Sequence, residues 1–169
     1  IQSSDRLLYP SLQYFLYIIQ MDIKDVLDER IICSSLEAKD KEDALKQLSA
    51  KLEETGYIDD KDAFLKDIFF RESQGCTGIG NGIAIPHGKS PSVTKVGIAI
   101  AKLTNEIEWE TLDGKGVKVI LLFAVGDKTE DAQEHLRLLA QVAGKLGNDQ
   151  IVEKLLKAET VEEIKFVFL

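Results

Sequence analysis

The segment 75–88 reads GCTGIGNGIAIPHG and gathers the groups in this chain best suited to chemistry. His87 lies near its end, between Pro86 and Gly88. A neutral imidazole keeps a proton on one nitrogen and offers a lone pair on the other. It can therefore take a phosphoryl group as a phosphoramidate near neutral pH. Pro86 is expected to stiffen the approach to His87, and Gly88 to leave room for an incoming group. Upstream, Gly75, Gly78, Gly80 and Gly82 ask for a backbone that turns sharply and comes close to something. Successive N–H groups of such a loop can form a concave anion site. The alternative is a histidine that only hydrogen-bonds within a turn.

Two nucleotide readings fail on spacing. A dinucleotide loop needs Gly-x-Gly-x-x-Gly before a helix, but Gly78 and Gly80 are followed by Ile83 and an apolar run. Gly88-Lys89-Ser90 lacks the upstream glycine of a Walker loop, because position 83 is isoleucine.

A phosphoryl group on His87 needs positive charge and donors around its oxygens. Arg71, upstream where a helix gives way to the glycine segment, offers a guanidinium that can bind phosphate with two parallel donors. An ion pair with Glu72 or another surface carboxylate is its competing use. His135 is the only other histidine in the chain. It is expected near the start of a helix, where neutral imidazole and bound anions are favoured. Its competing use is as a polar residue on the solvated side of that helix.

The elements that must position these residues follow from turn and cap signals. Residues 30–36 read as a strand. Residues 41–55 carry Ala44, Leu45, Leu48 and Leu52 at helical spacing, with Asp40 as N-cap and Gly56 just beyond the end. A second helix follows Asp60, with Ala63, Phe64 and Ile68 on its apolar side, and runs towards Arg71. Residues 93–101 and 117–125 are the strongest strands, with turn chemistry at 113–116 between them. A helix over 130–145 is expected to bury Leu136, Leu139, Ala140 and Ala143. Asn148 can cap a short helix, and Thr160 with Glu163 reads as a capping box for a last one. Interspersed helices and strands imply an α/β fold, a single mixed β-sheet sandwiched by α-helices in one compact domain.

Of 169 residues, 21 are basic and 29 acidic, a formal charge of -8 that disfavours nucleic acid or an anionic membrane as partner. An acidic body suits docking with a basic protein, with an ordinary solvated acidic surface as the commoner reading. Cys33 and Cys76 stand alone, in no paired-ligand spacing, so no structural zinc site is expected and free thiols point to the cytosol. Residues 1–20 hold three of the four tyrosines and precede the single methionine, Met21. Their apolar stretch 12–19 is too short to span a bilayer and lacks a signal-peptide layout. Met21 reads as the natural start and residues 1–20 as a non-native leader, with a genuine N-terminal extension as the alternative.

The run Phe70-Arg71-Glu72, followed by Thr77-Gly78-Ile79-Gly80-Asn81-Gly82-Ile83-Ala84-Ile85-Pro86-His87-Gly88, resembles the signature of a bacterial family. That family is the fructose/mannitol-type (type 2) enzyme IIA of the phosphotransferase system, which includes the nitrogen-regulatory IIA proteins. The resemblance extends over about residues 22–168. It implies that His87 accepts a phosphoryl group from the phosphocarrier protein HPr and passes it to a cysteine of an enzyme IIB domain for sugar uptake. It further implies that Arg71 and His135 sit beside the phosphorylated histidine and that no metal, nucleotide or other cofactor takes part. The membrane would be met only through the sugar permease component. Cys76, where the family more often shows a small hydroxyl residue, is a departure without an assigned role. Because a IIA domain touches only proteins, its residues do not encode the sugar. Three other readings compete: a nitrogen-type regulatory IIA, an anion-binding module without chemistry, and a Cys76/His87 hydrolase that lacks an evident orienting acid.

Overall fold

Side-chain caps start most of the helices, at Asp40, Asn148 and Thr160 as the sequence implies. In the computed structural model, which describes residues 22–169, Asp40 accepts from Asp43 N at 2.8 Å and opens α2 (Lys41–Glu54). Asp60 accepts from Ala63 N at 3.0 Å and opens α3 (Lys61–Glu72). Each such cap contributes about 1 kcal/mol. A short α1 (Ile23–Val26) comes before β1 (Ile32–Leu36). The remaining helices are α4 (Thr129–Leu146), α5 (Asp149–Lys157) and α6 (Val161–Val167). Asn148 caps α5 as expected. The box expected at α6 is half made. Thr160 accepts from Glu163 N, but the Glu163 carboxylate accepts from Glu159 N instead of reaching back to Thr160. Expectations for residues 1–20 fall outside the described residues.

The remaining strands are β2 (Gly78–Gly80), β3 (Ile83–Ala84), β4 (His87–Lys89), β5 (Gly97–Ile107) and β6 (Val117–Val125). Together with β1 they form one six-stranded mixed sheet in the order β1-β5-β6-β3-β2, with β4 also on β6. β5 and β6 are antiparallel, while β3 and β4 follow one another along the far side of β6, both parallel to it. The expected strand 93–101 is displaced along the chain to Gly97–Ile107. Residues before Gly97 turn back on the α2–α3 connection, where Thr94 N donates to Tyr57 O at 2.9 Å.

Alternating residues of β5 and β6 build two cores, one on each face of the sheet. Ile98, Ile100, Val119, Leu121 and Phe123 pack with α1, α4, α5 and α6. Ala99, Ala101, Ile120, Leu122 and Ala124 pack with α2 and α3. The face expected of α4 is corrected. Leu138, Val142 and Leu146 are buried and Leu139 is partly so, whereas Leu136 is 65% exposed and Ala140 and Ala143 are exposed. The helix is apolar on more than one side, and the sheet it packs against selects the stripe. No helix among the described residues is long and apolar enough to cross a membrane.

Candidate functional site

β4 lies against the last residues of β6, with His87 opposite Phe123 and Lys89 opposite Val125. His87 therefore stands near the carboxyl end of β6, a usual place for sites in open α/β sheets. The last turn of α3 brings Arg71 to it from one side of the sheet, and α4 brings His135 from the other. Arg71 Nε donates to His87 Nε2 at 3.0 Å. Arg71 Nη1 donates to the Gly75 carbonyl at 3.1 Å. The His87 and His135 rings lie 4.7 Å apart, inclined at 44°, and His135 meets the Phe123 ring edge-on at 5.4 Å.

The Arg71 bond fixes the state of His87. A nitrogen that accepts from a guanidinium carries a lone pair, so in the neutral ring the proton sits on Nδ1 and Nε2 is the nucleophile. Burial, then the charge of Arg71, hold the His87 pKa below its ordinary value, against the Ile85 backbone and Glu72, which act the other way. Burial also drives His135 down to about 4, with His87, Arg71 and Lys89 adding to the effect. Both rings are thus neutral near pH 7. The competing ion pair of Arg71 with Glu72 is not made, since Glu72 pairs with Lys41 at 2.7 Å.

Three expectations about this region need correction. His135 is not at a helix start: α4 begins at Thr129, so His135 lies in its second turn, beyond the reach of the terminal dipole. Its depressed pKa comes first from burial. Gly88 does not leave room for an incoming group, because a Cβ there would meet Phe64 Cε2 at 2.4 Å. Its bare Cα lets β4 lie flat on α3. The glycine segment is not an anion cradle beside His87 either. Gly80 and Gly82 have φ of 94° and 79°, flanking Asn81 at 57°, and form the tight turn of the β2–β3 hairpin. Asn81 N is already given to Asp113 Oδ2 at 3.0 Å. Ile83 pairs with Val119 and His87 with Phe123, so the turn is about 13 Å along the sheet from His87 at 3.3 Å per residue. Only Gly75 reaches the site, through its carbonyl.

Arg71, His87 and His135 line one pocket of about 420 Å³ with Lys89, Gln74 and Phe70. Sequence reasoning missed Lys89, although alternation along β4 puts residues 87 and 89 on the same side. It also missed the apolar rim: Phe70 and Leu136, each 65% exposed, flank the pocket. Cys76 stays outside the pocket and donates from Sγ to the Glu110 carbonyl at 2.7 Å, tying the loop to the β5–β6 connection.

Residues 25–168 match the family model described as phosphoenolpyruvate-dependent sugar phosphotransferase system, EIIA 2. The chain belongs to this family. A fructose-specific EIIA component of Haloferax volcanii is 32% identical over 86% of the chain and 94% of its own length. A fructose-specific EIIABC component of Bacillus subtilis is 34% identical over 85% of the chain, which spans only 22% of that longer protein. The nitrogen regulatory protein IIA-Ntr of Neisseria meningitidis has the same fold, with a TM-score of 0.79 and 27% identity over 87% of this chain and 99% of its own. An Escherichia coli mannitol IIA solved with phosphorylated enzyme IIB shares the fold at a TM-score of 0.69 and 19% identity, over 83% of this chain and 94% of its own. As a type-2 IIA domain the chain is a component of a phosphotransfer system.

Proposed function

We propose that this chain is a cytoplasmic phosphoryl carrier that accepts a phosphoryl group from HPr on His87 Nε2 and passes it to an enzyme IIB cysteine, within a fructose/mannitol-type uptake system. The observation that carries this reading is the 3.0 Å bond from Arg71 Nε to His87 Nε2, which leaves the nucleophilic lone pair on the nitrogen beside a fixed cation. In the forward step Nε2 attacks phosphorus, a P–N bond forms, and the donor's P–N bond breaks with its electron pair returning to the donor imidazole. His87 becomes a phosphorylated imidazolium that retains its Nδ1 proton. Arg71 Nε–H, its acceptor consumed, turns to the phosphoryl oxygens, which spread negative charge that a guanidinium stabilises. Arg71 thus neutralises phosphoryl charge, and His135 on the other side of the ring supplies phosphoryl stabilisation. In the onward step a thiolate attacks phosphorus and His87 leaves as a neutral ring.

Incubation with phosphorylated HPr should place the group on His87, lost in acid and kept in alkali, as a phosphoramidate requires. His87→Ala should abolish uptake and keep the fold, and uptake at the wild-type rate by that mutant would defeat the proposal. A regulatory role of the nitrogen type is the second reading. It is favoured by a nitrogen regulatory protein of Bradyrhizobium diazoefficiens, 32% identical over 85% of this chain and 92% of its own length. Transfer to a panel of IIB domains separates the two: a carrier delivers its phosphoryl group to one of them, a regulator to none.

A further inference from the structure

Immediately after Arg71 in the chain, Glu72 is tied into a closed ring of interactions that the transfer chemistry does not use. Its two carboxylate oxygens take different partners. Thr77 Oγ1 donates to Oε1 at 2.6 Å, and Lys41 Nζ pairs with Oε2 at 2.7 Å. Trp109 Nε1 donates to Thr77 Oγ1 at 3.1 Å, and Lys41 Nζ lies 4.8 Å from the centre of the Trp109 ring. The ring therefore runs from Glu72 to Thr77 to Trp109 to Lys41 and back. It joins the start of α2, the end of α3, the loop before β2 and the segment after β5. The Glu72 side chain is only 6% exposed, and Thr77 and Trp109 are buried.

We propose that Glu72 is a positioning residue for phosphoryl transfer, locking the last turn of α3 so that Arg71 keeps its place while its guanidinium exchanges His87 Nε2 for phosphoryl oxygens. This rests on the reading of His87 as acceptor. A helix end has no following turn to hold it, and its last carbonyls lack intrahelical partners. Arg71 carries its guanidinium on such a turn, two residues before the Ser73 cap. The bond to Nε2 that orients it must break at each phosphorylation, so something other than His87 has to hold its backbone through the cycle. The Gly75 carbonyl that accepts from Arg71 Nη1 belongs to the loop between Glu72 and Thr77, and the Glu72–Thr77 bond closes that loop at both ends. One buried carboxylate thereby fixes both the base of the arginine and its second acceptor.

Four proteins test this: wild type, Glu72→Gln, Thr77→Ser and Thr77→Val. Glu72→Gln keeps an acceptor for Thr77 but loses the ion pair. It should lower the rate of uptake from phosphorylated HPr about 10-fold or more, with KM unchanged, because misplacement of an orienting group slows chemistry without touching the docking face. Thr77→Val should show the same split, and Thr77→Ser, which restores the hydroxyl, should recover it. In the unphosphorylated proteins, the Arg71 Nε–H proton resonance should be sharp in wild type and Thr77→Ser and broadened by exchange in the other two. A folded Glu72→Gln with the wild-type rate and an unchanged Arg71 signal would overturn the proposal. If Glu72→Gln does not fold, the Thr77 pair decides by the same readouts, and equal behaviour of Ser and Val would overturn it. A wild type that takes no label on His87 would defeat the acceptor reading instead, and the Arg71 resonance would still decide the lock.

Discussion

At the scale of residues, the site consists of two neutral imidazoles and one fixed cation, and its pH behaviour follows from burial. His135 is driven down to about 4, and His87 also lies below its ordinary value. An unfolded histidine titrates near 6.5. Between the folded and unfolded values the unfolded chain binds more protons, so stability rises with pH there. The contribution is fully present above about 6.5 and is lost as pH falls towards 4. Melting temperature should therefore drop over that interval, and His135→Ala should flatten the drop; an unchanged slope in the mutant would show that other groups cause it. Phosphorylation reverses the local sign. A phosphoryl dianion on His87 favours the charged form of a ring whose centroid lies 4.7 Å from that of His87. The His135 titration, followed by NMR, should move upward in the phosphorylated protein. Arg71→Lys keeps charge but loses the fork, so its uptake should fall by less than the roughly 10²–10³ expected for losing a donor altogether. Single-turnover rates for Arg71→Lys and Arg71→Ala would order the two.

Elements decide where those residues meet, and here packing contributes as much as local signals do. Gly88 sits where β4 crosses α3, with Phe64 filling the space a side chain would need. Gly88→Ala should cost about 1–3 kcal/mol from overpacking and shift His87 away from Arg71. Calorimetry and uptake rates should fall together, and shrinking the ring in a Gly88→Ala/Phe64→Leu double mutant should recover part of both. A Gly88→Ala protein with unchanged stability would mean that the ring moves aside freely. What the sequence made legible was local: Asp40 and Asn148 as caps and β6 at its full length; the grouping of Arg71 and His135 with His87 came from the family resemblance, and the structure brings the three together. What it left hidden depends on contacts between distant segments. The role of Gly88 is set by Phe64, and the buried stripe of α4 by the sheet beneath it. Asp131 and Glu134 are both buried in that stripe, Asp131 accepting from Lys128 N and Glu134 held by Arg137, so polarity alone pointed to the wrong face. The glycine density was real, but apart from the Gly75 carbonyl it serves a hairpin at the sheet edge and not the site.

The surface around the pocket differs in character from the molecule as a whole. The chain carries a formal charge of -8, yet Arg71 and Lys89 outnumber Asp67 in the pocket lining, and Phe70 and Leu136 stand exposed at its rim. Apolar side chains left in water beside a reactive group fit transient contact with another protein, where a few such anchors carry most of the binding energy. The proposed carrier must release each partner quickly, so a small apolar rim suits it better than a large interface. Phe70→Ser and Leu136→Asp should each raise KM for phosphorylated HPr, by about 10-fold where the side chain is worth 1–2 kcal/mol, and leave the maximal rate unchanged. This pattern is the reverse of the one expected for Glu72→Gln, so the two sets of mutants separate docking from positioning in one assay. The acidic body adds a second dependence. If it steers a basic partner, added salt should slow the bimolecular step while the maximal rate at saturation holds steady. The Phe70→Ser protein should keep that salt slope, because an apolar anchor acts after encounter. Loss of the slope along with the anchor would place steering and anchoring on the same few residues, and would move the electrostatic contribution from the whole body to the pocket rim.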